Sequence, residues 1–92
     1  DIMKGVADWF NLKISDLKSP KKNKKLASAR QVAMYLARKL TSASFPDIGE
    51  KMGGRDHSTV IYADNKIKKL IETDEEWKKT IQDIEDGLLQ RR

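Results

Sequence analysis

Apolar residues along this chain recur at intervals of three and four and do not alternate, so the pattern predicts helices and carries no strand signal. Ile2, Met3, Val6 and Phe10 fall at helical spacing with Ala7 and Trp9 beside them, which predicts a first helix over residues 2–11. A short helical turn follows at 15–18. Ser28 with Gln31 has the form of a capping box, and Ala29, Val32, Ala33, Leu36 and Leu40 continue as a stripe, predicting a helix over 29–41. Ser44 is placed to cap a short helix that accepts Pro46 in its first turn, turns Ile48 and Met52 inward and stops at Gly53 and Gly54. Asp56 is placed to cap a longer helix whose buried face runs through Val60, Ala63 or Asp64, Ile67, Leu70 and Ile71, with Asp64 out of pattern. A second capping box, Thr73 with Glu76, opens an acidic last helix over about 74–90, in which Trp77, Ile81, Ile84 and Leu88 are spaced for packing.

One segment breaks the stripes. Residues 18–25 hold five lysines and a proline with no acid and no apolar side chain, so they predict a solvated basic loop, extending over 18–28 to the next helix. The expected architecture is therefore all-α: a compact domain of about five to six helices containing a helix-turn-helix at about 45–72. With 92 residues, a second core would leave each half too small to be stable, so a single domain over 1–92 is expected. Trp9, Phe10 and Trp77 are expected in that core. The opening residues Asp1, Ile2, Met3 and Lys4 read as the interior of a longer polypeptide, that is, as an excised domain.

Charge adds a direction to this picture. The net charge is +5, but residues 1–71 carry 15 Lys and Arg against 7 Asp and Glu, a balance of +8, whereas residues 72–92 carry 4 against 7, a balance of −3. The basic part suits a polyanion, because each phosphate neutralised releases condensed counterions. Cysteine is absent, which removes disulfides and thiolate metal sites. No stretch approaches the roughly 20 apolar residues of a membrane span. Nucleic acid or an anionic membrane surface remain as partners.

The stretch from Ser44 to Tyr62 separates them. A short helix, a glycine turn and a second helix have helix-turn-helix geometry, in which the first helix sets the angle of the second and the second offers its N-terminal turn to the major groove. Residues 55–59 would then face the bases. A carboxylate accepts from the cytosine amino group, hydroxyls pair with either kind of edge, and methyl or ring carbons suit the thymine methyl. Asp56 is accordingly assigned to a cytosine, Ser58 to a base edge, and His57 and Thr59 to thymine methyl or backbone contact, while Arg55 clamps a phosphate. Asp56 is equally suited to capping its helix, and both roles are compatible. Lys21, Lys22, Lys24 and Lys25 are either plain solvated charge or track a backbone or enter the minor groove, and Arg30, Gln31 and Arg38 are placed to hold phosphates, completion of its capping box being the alternative for Gln31.

Other chemistry fits less well. Asp56, His57 and Ser58 carry the residue types of a hydrolytic triad, but consecutive helical residues point about 100° apart and cannot form a relay, so no enzyme is expected. His57 has no acids at ligand spacing, so no metal is expected. A protein-interaction or anionic-membrane module using the basic face is the remaining alternative, and salt and sequence dependence of binding separate it from specific DNA recognition.

The run GGRDHSTVIYA at 53–63 closely resembles the C-terminal signature of the bacterial replication initiators of the DnaA family, in their DNA-binding domain IV. RQVAMYLARKL at 30–40, FPDIG at 45–49 and the basic loop appear in the family's order, so the resemblance covers nearly the whole chain. It implies sequence-specific binding to double-stranded DnaA boxes at a replication origin, with Asp56, His57, Ser58 and Thr59 at base-reading positions. Arg55, Gln31, Arg30, Arg38 and Ser44 match positions associated with the sugar-phosphate backbone. Lys22 stands where well-known members have an arginine that enters the minor groove, and lysine lacks its planar fork; Lys21 or Lys24 are substitutes. Ser58 stands where threonine is also seen. Membership further implies a bacterial, cytoplasmic, nucleoid-associated protein with an upstream ATP-binding AAA+ module through which it oligomerises, this domain being monomeric alone and needing no membrane contact. These residues contain no G-x-x-x-x-G-K-[ST] loop, so no cofactor is expected here, ATP or ADP belonging to the upstream module.

Overall fold

The computed structural model describes residues 1–90 and contains α-helices only: α1 (Ile2–Trp9), α2 (Ile14–Lys18), α3 (Lys24–Leu40), α4 (Phe45–Lys51), α5 (His57–Thr73) and α6 (Glu75–Gln90). The all-α class and the helix-turn-helix, here α4 and α5, agree with the sequence.

The centre of the fold is α3. Its consecutive residues Val32, Ala33, Met34, Tyr35 and Leu36 are all buried, which a helix achieves only when it is covered on several sides. The covers are α5, α1, α4 and α2. They contribute Val60, Ala63 and Ile67 from α5, Val6 and Ala7 from α1, Ile48 from α4 and Leu17 from α2. The last helix, α6, closes α1 and α5 with Ile81 and Ile84, and Lys39 on α3 donates to Glu85 at 2.8 Å.

Three boundaries differ from the expected ones, each for a local reason. The first helix ends at Trp9 because Asn11 adopts a left-handed φ of 57°, a conformation asparagine tolerates at a helix end. Trp9 is 50% exposed, against the expectation of a core residue, while Phe10 and Trp77 pack against the core as partly buried side chains. The basic loop is shorter than 18–28. Asn23, not Ser28, caps α3 by accepting from the Leu26 amide at 2.9 Å, so Lys24 and Lys25 form the first turn and Leu26 begins the buried stripe. Gln31 is consequently in the helix and not in a capping box. At the last helix Asp74 replaces Thr73, its carboxylate accepting from the amides of Glu76 and Trp77 at 3.1 Å. Thr73 instead ends α5 and returns its hydroxyl to the Lys69 carbonyl.

Asp64, the residue out of pattern on α5, is only 3% exposed and takes Lys68 at 2.9 Å as its ion-pair partner. Among the described residues no buried side-chain nitrogen or oxygen lacks a hydrogen-bond partner.

Candidate nucleic-acid interface

The turn between α4 and α5 is built by two glycines with positive φ, 86° at Gly53 and 77° at Gly54. That path lets the last carbonyls of α4 find donors. The Gly54 amide reaches Glu50 O at 3.1 Å and the Arg55 amide reaches Gly49 O at 2.8 Å, closing the end of the helix. Gly53 is required twice over, since a Cβ there would also overlap the carbonyl oxygen of Lys18, the last residue of α2 before the basic loop. The chain entering the loop therefore runs directly against the turn.

At the start of α4, Ser44 accepts from the Asp47 amide at 3.2 Å and the Asp47 carboxylate accepts from the Ser44 amide at 3.3 Å, a complete capping box with Pro46 in the first turn. The Ser44 hydroxyl first, and the Ser44 amide after it, hold the Asp47 carboxyl below its usual range. Arg38 on α3 fixes the same corner from behind, donating to Ala43 O at 3.1 Å and stacking 4.4 Å from the Phe45 ring centroid.

Beyond the turn, Asp56, His57, Ser58 and Thr59 are all exposed at the N-terminal tip of α5. Asp56 takes the capping role: its Oδ2 accepts from the Ser58 amide at 3.1 Å and from the Ser58 hydroxyl. The Ser58 bonds keep the Asp56 carboxyl below the usual carboxylate range. Its other oxygen, Oδ1, lies 3.6 Å from His57 Nδ1. Ser58 thus spends its donor on the cap and keeps acceptor capacity toward solvent. The outer face of α5 continues through Tyr62, 62% exposed, with the Lys66 ammonium 6.0 Å from its ring centroid. Exposure of so large an aromatic beside the tip was not anticipated from the sequence, although its i+4 spacing from Ser58 was available.

The lysines Lys21, Lys22, Lys24 and Lys25 are exposed, as is Arg38, and Gln31 is half-buried on α3. The two arginines expected on phosphates are placed otherwise. Arg30 is only 7% exposed, and its guanidinium is turned inward onto the carbonyls of Leu17, Lys21, Asp16 and Ser19. Arg55 is half-buried and reaches back to the carbonyls of Leu17, Met52 and Ser19. No group of His, Asp and Glu able to hold a metal occurs among the described residues, and no helix among them is long and apolar enough to cross a membrane.

A short capped helix, a two-glycine turn and a long helix with an exposed polar tip define a helix-turn-helix domain. The description of the bacterial DnaA helix-turn-helix matches residues 1–67, and the chain belongs to that family. It is 54% identical over 88 residues to the chromosomal replication initiator protein DnaA of Geobacter metallireducens, a match covering 96% of this chain and 20% of that protein. A solved crystal structure described as a DNA replication initiation factor superposes with a TM-score of 0.82 at 34% identity, over 94% of this chain and 26% of that one. The chain thus spans about a fifth to a quarter of the length of these relatives. As the helix-turn-helix domain of a DnaA-type replication initiator, it is a DNA-binding and non-catalytic unit.

Proposed function

We propose that this chain acts as a single domain that binds double-stranded DnaA boxes at a replication origin, placing the tip of α5 in the major groove and the basic loop on the phosphates or in the minor groove. The observation that carries this reading is the exposed run Asp56, His57, Ser58 and Thr59 at a helix N-terminus, in line with the family's signature and beside a loop of exposed lysines. Asp56 Oδ1 accepts from a cytosine amino group while Oδ2 caps the helix. Ser58 accepts at a base edge. His57 and Thr59 offer carbon surface to thymine methyls, or reach the backbone.

Electrostatics supports the orientation. α3 has no acid within its first turn and begins with Lys24 and Lys25, which oppose the positive end of its helix dipole. A phosphate bound there would reverse that repulsion into attraction. Lys21, Lys22, Lys24, Lys25, Gln31, Arg38 and Ser44 form the backbone-contacting set, with Lys22 in place of the family's arginine. By the same family membership, an upstream AAA+ region of the intact protein holds ATP or ADP and oligomerises, while this domain is monomeric and works on the nucleoid in the bacterial cytoplasm.

The loop's part is tested by salt dependence. Lys22→Ala should weaken binding to a box-containing duplex and reduce the slope of log K against log salt by about one unit, as expected for one lost phosphate contact. An unchanged slope in fluorescence anisotropy titrations would return the loop to plain solvated charge.

A further inference from the structure

We infer that Arg30 and Arg55 form a positioning pair that fixes the basic loop against the turn of the helix-turn-helix before DNA is met, and that Arg30 does so in place of holding a phosphate. The inference rests on the proposed division of the interface into loop and tip, and explains how the two are kept in register.

The loop between α2 and α3 has no apolar side chain to bury except that of Pro20, so hydrophobic packing cannot fix its path. Backbone carbonyls at the end of α2, those of Asp16 and Leu17, and within the loop, those of Ser19 and Lys21, do so instead. Arg30 Nε donates to Leu17 O at 2.8 Å and Nη1 to Lys21 O at 2.6 Å. Its Nη2 donates to Asp16 O at 2.9 Å and Ser19 O at 2.8 Å. From the opposite side, Arg55 Nη1 reaches Leu17 O at 3.3 Å and also bonds Met52 O in the turn, while Nη2 reaches Ser19 O at 2.7 Å. Leu17 O and Ser19 O are therefore shared by an arginine from α3 and an arginine from the turn before α5. The end of α2, the start of the loop, the central helix and the turn before the reading tip meet at two oxygens.

Two guanidinium groups this close repel each other. Burial and the Arg55 charge both lower the Arg30 pKa, with Asp16 opposing them. The carbonyl dipoles compensate, and because they are drawn inward, the loop's lysines are left exposed to solvent. Lysine could not reproduce the bracket, since one ammonium cannot span carbonyls that a planar fork reaches in several directions. A contact surface ordered in the free protein loses less conformational freedom on binding, which is the advantage such a bracket gives a flexible polar loop.

Amide hydrogen exchange on the DNA-free 92-residue chain tests the pair, comparing wild type with Arg30→Lys and Arg55→Lys. The expected result is exchange about ten-fold faster or more across residues 18–23 in both variants, with protection of α5 and α6 retained. Should Arg30→Lys fail to fold, the half-buried Arg55→Lys gives the same readout. Unchanged loop exchange would overturn the inference, as would loss of protection spread evenly over all helices, which marks a merely structural role. Because DNA is absent, the result is independent of whether the chain prefers a DnaA box, and a failure of that preference would be seen separately.

Discussion

Gly49→Ala is expected to destabilise the domain by about 3 kcal/mol or more, at the upper end of overpacking changes. Gly49 is buried on α4, and a Cβ there would overlap the carbonyl oxygen of Arg55. That oxygen belongs to the main chain at the entrance to α5, so it cannot rotate away as a side chain would. The Arg55 amide is also bonded to Gly49 O, so moving the turn to make room weakens the bond that closes α4. For a domain of this size, the loss corresponds to a fall in Tm of roughly 10–25 °C. Gly54→Ala is the internal comparison: its φ is 77°, but an added Cβ meets nothing within 4 Å, so only backbone strain of about 1 kcal/mol is expected. Thermal denaturation followed by circular dichroism distinguishes them. Equal, small shifts for both variants would mean that the close approach of α4 to the start of α5 does not set the angle of the reading helix.

His57→Ala is expected to cost about 1–3 kcal/mol of affinity on a duplex containing a DnaA box and little on a random duplex. His57 is exposed, its side chain leaning only toward Asp56, and it packs against none of the core, so its removal should leave the fold unchanged. The loss would therefore report the groove contact directly. Equal losses on both duplexes, in anisotropy titrations at one salt concentration, would refute base reading by this residue and leave a backbone contact only.

Much of this architecture was legible because its signals are local. Gly53 and Gly54, the Ser44 box and the stripes on α3, α5 and α6 each follow from spacing within a turn or two. The errors came where the deciding partner is distant or ambiguous. Lysine is a good helix former, so a lysine-rich run hid the first turn of α3, although Asn23 as a cap and Leu26 as the next apolar position could have revealed it. Arg30 read as a surface residue because the carbonyls that bury it come from residues up to 14 positions away, at the end of α2 and on the loop after it, whose path no periodicity predicts. That Asp56 caps α5 through one carboxylate oxygen is a matter of geometry that residue type leaves open. Trp9 looked like core because it adjoins an apolar stripe, yet α1 ends there and the ring stays half outside.

The measurement that bears most directly on major-groove reading is the affinity of the wild-type chain for a box-containing duplex and for a scrambled duplex of equal length, at two salt concentrations. Binding to the box should be tighter by about a thousand-fold, in the range of specific over non-specific association. Both affinities should fall as salt rises while a large preference persists, because phosphate contacts are screened and base contacts are not. Equal affinities for the two duplexes at both concentrations would contradict the account, leaving a basic surface that binds DNA without reading it.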